Sequence, residues 1–145
     1  MNPTVPNQAP APRPVVLLVD DTPENLAVLG ELLQPLYRVR VANSGTRALA
    51  VVASDPRPDL ILLDVMMQDM DGYEVIRRLR QDPATREIPV IFVTALDATE
   101  DERKGLELGA ADYITKPVRP AIVQARVKAQ LELKFARDRM REQND

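Results

Sequence analysis

The stretch Asp59-Leu60-Ile61-Leu62-Leu63-Asp64-Val65-Met66-Met67 decides the fold of this chain. Its four consecutive aliphatic residues, 60–63, are typical of a strand buried on both faces, as in the centre of a parallel sheet. The run ends at Asp64, and open α/β sheets bind ligands at the carboxyl ends of their strands. An aspartate at such a point is often only a turn residue. The interpretation of Asp64 therefore depends on the rest of the chain.

The segments on either side predict a regular alternation of strands and helices. Further strands are predicted at 15–19, 37–41, 89–93 and 111–115. Five helices are predicted: after Thr22, after Ser44, after the turn at 69–72, from Thr99 to Leu108, and from near Arg119 onwards. Thr22 can act as the cap of the first. Five strand–helix alternations predict an α/β fold, with a parallel sheet, helices on both of its faces and right-handed crossovers.

The last predicted helix meets no glycine or proline from Ala121 to Asp145. Its first half is predicted to present a broad apolar face to the sheet, formed by Ile122, Ala125, Ala129 and Leu133. Beyond Ala136 the residues are mostly charged, which indicates a solvated helix end or the start of a coiled-coil linker.

Polar residues follow four of the five predicted strands, namely Asp20-Asp21, Asp64, Thr94 and Lys116. The carboxyl ends of parallel strands share one edge, so we expect these side chains to converge. Three aspartates there repel each other, and an oxygen-only ligand set favours Mg²⁺ as the cation that relieves the repulsion. A carboxylate beside Mg²⁺ can attack a phosphoryl group and form an acyl phosphate. Lys116 would offset charge on the transferring oxygens, and the Thr94 hydroxyl would hydrogen-bond one of them.

The composition narrows the chemistry further. The chain contains no cysteine and no histidine, which excludes disulfides, thiolate and histidine metal sites, and a Ser-His-Asp triad. A formal net charge of −3 disfavours nucleic acid as the main partner. No apolar run is long enough for a membrane span, and the N-terminus lacks the features of a signal peptide. We expect a cytoplasmic protein with no direct nucleic-acid partner and no membrane contact.

Five motifs in order resemble those of the response-regulator receiver domain of bacterial two-component signalling. They are the Val-Asp-Asp ending at Asp21, the Leu-Leu-Asp-Val-Met-Met run around Asp64, Met70-Asp71-Gly72, Thr94-Ala95 and Lys116-Pro117. The similarity covers residues 14–136. It implies a flavodoxin-like, doubly wound sheet of five parallel strands in the order 2-1-3-4-5, with an extended C-terminal helix.

The resemblance also implies a role for each site residue. Asp64 would accept the phosphoryl group from a phosphohistidine donor, and Lys116 would contact it. Asp21 would bind Mg²⁺ directly, and Asp20 would act mainly through water. The backbone carbonyl of Met66 would be a further metal ligand. In this interpretation the chain is not a conventional enzyme, since it catalyses only phosphotransfer to its own Asp64 and its own dephosphorylation.

Thr94 and Tyr113 would form the switch pair of such a domain. Thr94 would move toward the phosphate while Tyr113 rotates inward behind it, and the peptide before Pro117 is expected to be cis. In that family the positions of Met66 and Leu96 tune the lifetime of the phosphoryl group, and both residues are apolar here.

Gln68 stands where many receivers carry proline, so the loop that follows Asp64 is expected to be less rigid.

The resemblance extends to partners and domain organisation. Residues 1–13 are predicted to be a disordered, proline-rich tail, 14–136 the receiver, and 137–145 a helix extension or a linker to an output domain. The implied partners are a sensor histidine kinase or phosphotransfer protein, a fused output domain, and a second copy of the chain. The second copy would bind through the last helix, or through the face formed by the helix at 99–108, the fifth strand and the last helix.

The segments 21–25, 125–127 and 130–134 resemble receivers fused to cyclic-di-GMP enzymes, the HD-GYP phosphodiesterase type more than the GGDEF cyclase type.

Two alternatives remain at this point. A Mg²⁺-dependent phosphohydrolase of the haloacid-dehalogenase type also uses a strand-end aspartate, but it needs a second aspartate where this chain has Met66. The chain could also be a single-domain phosphorelay adaptor. A nucleotide-binding fold is disfavoured because neither a P-loop nor a Gly-x-Gly-x-x-Gly motif is present.

Overall fold

The five strands form one parallel sheet in the order β2-β1-β3-β4-β5. The computed structural model describes residues 12–95 and 99–144. Within them the elements are β1 Val15–Val19, α1 Pro23–Leu33, β2 Arg38–Ala42, α2 Gly45–Val52, β3 Leu60–Leu63, α3 Gly72–Gln81, β4 Val90–Thr94, α4 Thr99–Glu107, β5 Asp112–Thr115 and α5 Pro120–Asn144. The predicted α/β fold, its strand order and the long last helix are confirmed. Leu96 and residues 1–11 of the predicted tail lie outside the described residues.

Alternate residues of the central strands supply two separate cores. Leu17 and Val19 pack on the face covered by α2 and α3, and Val16 and Leu18 pack on the face covered by α1 and α5. This division follows from the two-residue side-chain period of a strand. Every residue of β1, β3 and β4 is buried, which explains why these segments are almost continuously aliphatic.

The helix ends agree with the predicted signals in part. Thr22 precedes α1, but its side chain makes no capping hydrogen bond, so that prediction is wrong. Its backbone N–H instead donates to Oδ1 of Asp20 at 2.9 Å. At α3 the side chain of Asp71 does cap, accepting the N–H of Glu74 at 2.9 Å. Gly109 follows α4 with φ of 104°, a conformation that glycine adopts without strain.

The buried face of α5 differs from the predicted one. Val123, Val127 and Leu131 are buried against the sheet. The predicted residues, Ile122, Ala125, Ala129 and Leu133, are exposed. The helix carries two apolar stripes, and packing on the sheet selects the β-branched and leucine stripe because it buries more apolar area.

No helix among residues 12–95 and 99–144 has the length and apolar character needed to span a bilayer.

Candidate functional site

Main-chain pairing continues one residue beyond three of the strands and fixes the backbone of the site. The N–H of Asp20 donates to the Ala42 carbonyl at 3.2 Å, and that of Asp64 to the Val19 carbonyl at 2.9 Å. The N–H of Lys116 likewise donates to the Thr94 carbonyl at 2.9 Å. The sheet therefore aligns these residues at its carboxyl edge, as the sequence predicted.

The acidic and hydroxyl side chains at this edge are removed from solvent. Asp20, Asp64 and Thr94 are all buried, whereas Asp21 is exposed. Buried carboxylates are rare unless they are paired or bind a cation. Burial of two of them side by side is therefore unusual for a structural turn.

Lys116 bridges the two buried carboxylates. Its Nζ lies 2.7 Å from Oδ2 of Asp20 and 3.3 Å from Oδ2 of Asp64. Asp20 is held further by Asn25, whose side-chain amide donates to Oδ2 at 3.2 Å. No sequence signal indicates this role for Asn25, because an asparagine early in α1 is indistinguishable from any solvent-facing polar residue.

The pKa of Asp64 is raised from the usual aspartate value, first by burial. The Lys116 ammonium lowers it, the neighbouring Asp20 raises it, and a hydrogen bond from the Thr94 side chain lowers it. The pKa of Lys116 is also raised, although its own burial acts in the opposite direction. The two shifts agree physically, since Lys116 faces two anions while Asp64 faces one cation and one anion.

The site has the donor set of a hard divalent cation. Carboxylate oxygens of Asp20, Asp21 and Asp64 all lie within 4.8 Å of one another. Three carboxylates against one ammonium leave excess negative charge, and oxygen ligands suit Mg²⁺. The residues present therefore fit the metal that the sequence implied. The Met66 N–H donates to Oδ1 of Asp64 at 3.2 Å, which places Met66 beside this cluster.

The predicted switch residues lie on one face of the sheet. Tyr113 is buried and pairs in register with Phe92, two residues before Thr94 on β4. The Phe92 and Tyr113 ring centroids are 6.2 Å apart. A Cβ on Gly105 of α4 would come within 2.9 Å of the Phe92 ring, so α4 packs directly against these aromatic rings.

The peptide bonds Lys116–Pro117 and Asp55–Pro56 are both cis.

The structure thus brings together Asp20, Asp21, Asp64, Thr94 and Lys116, and places Tyr113 beside Phe92 behind them. Two contributors were missed by sequence reasoning, Asn25 and Asp69. Asp69 accepts hydrogen bonds from the start of α2, a contact between distant segments that no local pattern indicates.

Comparisons with known proteins agree on one family. Residues 16–128 match the family model described as response regulator receiver domain. A protein of Vibrio cholerae named probable cyclic di-GMP phosphodiesterase is 45% identical over 130 residues, which cover 90% of this chain and 29% of that protein. The response regulator PleD of Caulobacter vibrioides is 45% identical over 128 residues, covering 88% of this chain and 28% of that protein. The chain therefore spans less than a third of the length of these two relatives.

Among solved structures, the signal receiver domain of a signal transduction histidine kinase from Syntrophus aciditrophicus is similar with a TM-score of 0.75 and 37% identity. The match covers 82% of this chain and 90% of that one.

Proposed function

We propose that this chain, which belongs to the response regulator receiver domain family of two-component signalling, accepts a phosphoryl group on Asp64 in a Mg²⁺-dependent reaction. Receiver domains interact with histidine kinases and phosphotransfer proteins, and generally bind Mg²⁺ at an acidic pocket. The observation that carries the proposal is the buried Asp64 carboxylate, bridged through Lys116 to Asp20.

In the proposed step an oxygen of Asp64 attacks the phosphorus atom of a phosphohistidine donor. An O–P bond forms, the N–P bond of the donor breaks, and its electron pair leaves on the imidazole nitrogen. Asp64 reacts as the carboxylate. Burial raises its pKa, and the Lys116 ammonium opposes that rise and so favours the ionised form.

The other residues bind and orient the phosphoryl group. The Lys116 ammonium stabilises negative charge on the transferring oxygens, and the Thr94 hydroxyl hydrogen-bonds one of them. Mg²⁺, held by Asp20, Asp21, Asp64 and the Met66 carbonyl, would supply further charge stabilisation. Asp20 is already engaged by Lys116 and Asn25, which supports a water-mediated role for it and a direct one for the exposed Asp21.

The signal would leave the site through the Thr94–Tyr113 pair. The phosphoryl group carries close to two negative charges in place of the single charge of the Asp64 carboxylate, which would draw Thr94 toward it and shift Tyr113 and the packed α4. The surface of α4, β5 and α5 would then meet a second copy or an output domain. Exposed apolar side chains on these helices, Leu106, Ile122, Leu133 and Met140, support such a contact.

We place the receiver unit at 14–136 and treat 137–145 as the connection to an output domain. The two relatives of which this chain spans less than a third support a longer functional unit. The name of the Vibrio cholerae relative supports an output in cyclic-di-GMP signalling, of the phosphodiesterase type.

Intact-mass measurement after incubation with acetyl phosphate tests the proposal. Wild type is expected to gain one phosphoryl group with Mg²⁺ and none with EDTA, and Asp64→Asn is expected to gain none. Asp59→Asn is a matched control, because Asp59 directly precedes β3, the strand that Asp64 directly follows. Uptake by Asp64→Asn at the wild-type level would place the acceptor elsewhere, and Mg²⁺-independent uptake would remove the metal from the reaction.

A further inference from the structure

Asp69 connects the loop after Asp64 to the first turn of α2. Its Oδ1 accepts the Gly45 N–H at 3.2 Å, and its Oδ2 accepts the Thr46 N–H at 3.1 Å. The Thr46 hydroxyl donates to the same Oδ2 at 2.8 Å. One exposed carboxylate therefore joins two segments that are more than twenty residues apart in sequence.

These contacts complete the N-terminus of α2. The first N–H groups of a helix have no partner within it. Here Ser44 Oγ accepts the Arg47 N–H at 3.0 Å, and Asp69 accepts the two N–H groups before it. The hydrogen bonds from Thr46, its hydroxyl first, lower the pKa of Asp69 to about 2. The carboxylate thus stays ionised, in the form that the helix N-terminus favours.

Packing holds the same loop against α2 and β3. A Cβ on Gly45 would lie 2.8 Å from both the Cβ and the carbonyl oxygen of Met70, so the loop rests on the helix backbone. At the loop's far end the Gly72 N–H donates to the Val65 carbonyl at 2.9 Å. Residues 66–68 lie between the attachment at Val65 and the anchor at Asp69, and they include no proline that would restrain the backbone.

We propose that Asp69 is a positioning residue for the metal site: by anchoring the loop to α2, it fixes the backbone of 66–68 and so the Met66 carbonyl. This inference rests on the proposed function, in which that carbonyl is a ligand. An unanchored loop would have to be ordered when the metal binds, and the lost conformational entropy would reduce the affinity. Asp69 is not part of the carboxylate cluster of Asp20, Asp21 and Asp64, and in this proposal it acts only through the loop.

The test is Mg²⁺ titration by calorimetry on the whole chain. Substitution of residues that orient metal ligands costs about 10-fold to 100-fold in affinity. We expect Asp69→Ala to weaken Mg²⁺ binding by about tenfold, the lower end, because the residue acts through the loop. Asp69→Asn keeps an oxygen acceptor for one N–H group and should recover part of the affinity.

Ser44→Ala is the matched control for helix capping. It removes a cap from the same helix but leaves the loop attached. A lower melting temperature with unchanged Mg²⁺ affinity is expected for this variant, whereas Asp69→Ala should lower both. Equal Mg²⁺ affinity for Asp69→Ala and wild type would overturn the proposal.

Thr46→Val separates anchoring from simple charge loss. It removes the hydroxyl that donates to Asp69 and changes no charge, and we expect about twofold weaker Mg²⁺ binding from the lost hydrogen bond. If Asp69→Asn and Asp69→Ala weaken binding equally while Thr46→Val has no effect, long-range charge accounts for the result and the anchoring role is wrong.

Amide hydrogen exchange without metal distinguishes this inference from the proposed function. Residues 66–68 should exchange faster in Asp69→Ala than in wild type, and unchanged exchange would overturn the anchor. Wild type that shows the anchor and binds Mg²⁺ but takes up no phosphoryl group from acetyl phosphate would overturn the proposed function and leave the positioning role intact, whereas wild type that binds no Mg²⁺ would overturn both.

Discussion

Two lysines at opposite ends of the sheet each bridge a pair of aspartates. At the carboxyl end, Lys116 contacts Asp20 and Asp64. At the amino end, Lys134 of α5 contacts Asp59 at 3.5 Å and Asp138 at 2.8 Å. The lysine side chains are similarly exposed, 20% and 17%, but their partners differ. Asp20 and Asp64 are 3% and 7% exposed, against 26% and 44% for the partners of Lys134.

This difference in burial separates a reactive site from a structural one. Solvent screens the charges around Lys134, and such ion pairs contribute little to the free energy of folding. The groups around Lys116 are desolvated. Burial and Asp20 raise the pKa of Asp64 while Lys116 lowers it, and the two carboxylates raise the pKa of Lys116 against the effect of its own burial. At the amino end of the sheet, carboxylates instead accept hydrogen bonds from backbone N–H groups. Asp59 Oδ2, for example, accepts the N–H of Val15 at the start of β1 at 2.8 Å.

The largest expected effect is that of Lys116→Ala on phosphoryl uptake, with Lys134→Ala as its control. Lys116→Ala should slow phosphoryl uptake from acetyl phosphate by about 100-fold, since one stabilising cation of the transferring group is lost. Lys134→Ala should leave the rate unchanged because its carboxylates lie at the other end of the sheet. Time-resolved intact-mass spectra measure both rates. Equal slowing in the two variants would show that the contrast between the two ends is wrong.

A stability effect is expected from Arg80, which joins the starts of two strands. Its guanidinium donates to the carbonyls of Ile88 and Gly109, both at 2.9 Å. Arg80→Ala should reduce the free energy of unfolding by about 2 kcal/mol, because the part-buried Ile88 carbonyl and the exposed Gly109 carbonyl both lose a charged donor. Urea unfolding measures this change.

Arg80→Lys is the control for charge, since an ammonium cannot reproduce the two-pronged geometry of the guanidinium. We expect it to recover little stability, while phosphoryl uptake by both Arg80 variants matches wild type. Full recovery by lysine would mean that charge at this position, rather than the bridge between carbonyls, provides the stability.

The smallest expected effects are changes in stability of opposite sign on substituting the two aspartates that flank β3. Without metal, Asp64→Asn should raise the melting temperature at neutral pH, because burial disfavours the ionised carboxyl. Asp59→Ala should reduce the free energy of unfolding by about 1 kcal/mol through the lost bond to Val15. Thermal unfolding in EDTA measures both changes.

The pH dependence follows from the raised pKa of Asp64. Proton binding by Asp64 favours the folded state fully below the unfolded pKa of 3.8, and this contribution is lost as pH rises through the raised folded value. The advantage of Asp64→Asn over wild type should therefore grow as the pH rises from about 4 toward neutral pH. A constant difference across that range would mean that Asp64 titrates as in the unfolded chain.

The amino-acid sequence alone determined the fold and the location of the site. Continuous aliphatic runs identified the buried strands, and their alternation with helical segments required a parallel sheet. Because parallel strands end at one edge, Asp20, Asp64, Thr94 and Lys116 could be placed together without coordinates, and the structure does bring them together.

Only the tertiary structure decided which surfaces and partners these elements use. On α5, the stripe of Val123, Val127 and Leu131 faces the core although another apolar stripe was available. Asn25 on Asp20 and Asp69 on α2 are likewise contacts between separate segments. A local sequence pattern shows which apolar residues a segment can bury and which hydrogen bonds it can donate. Which side of a helix is buried, and which long-range hydrogen bonds form, depend on where the sheet places the neighbouring segments.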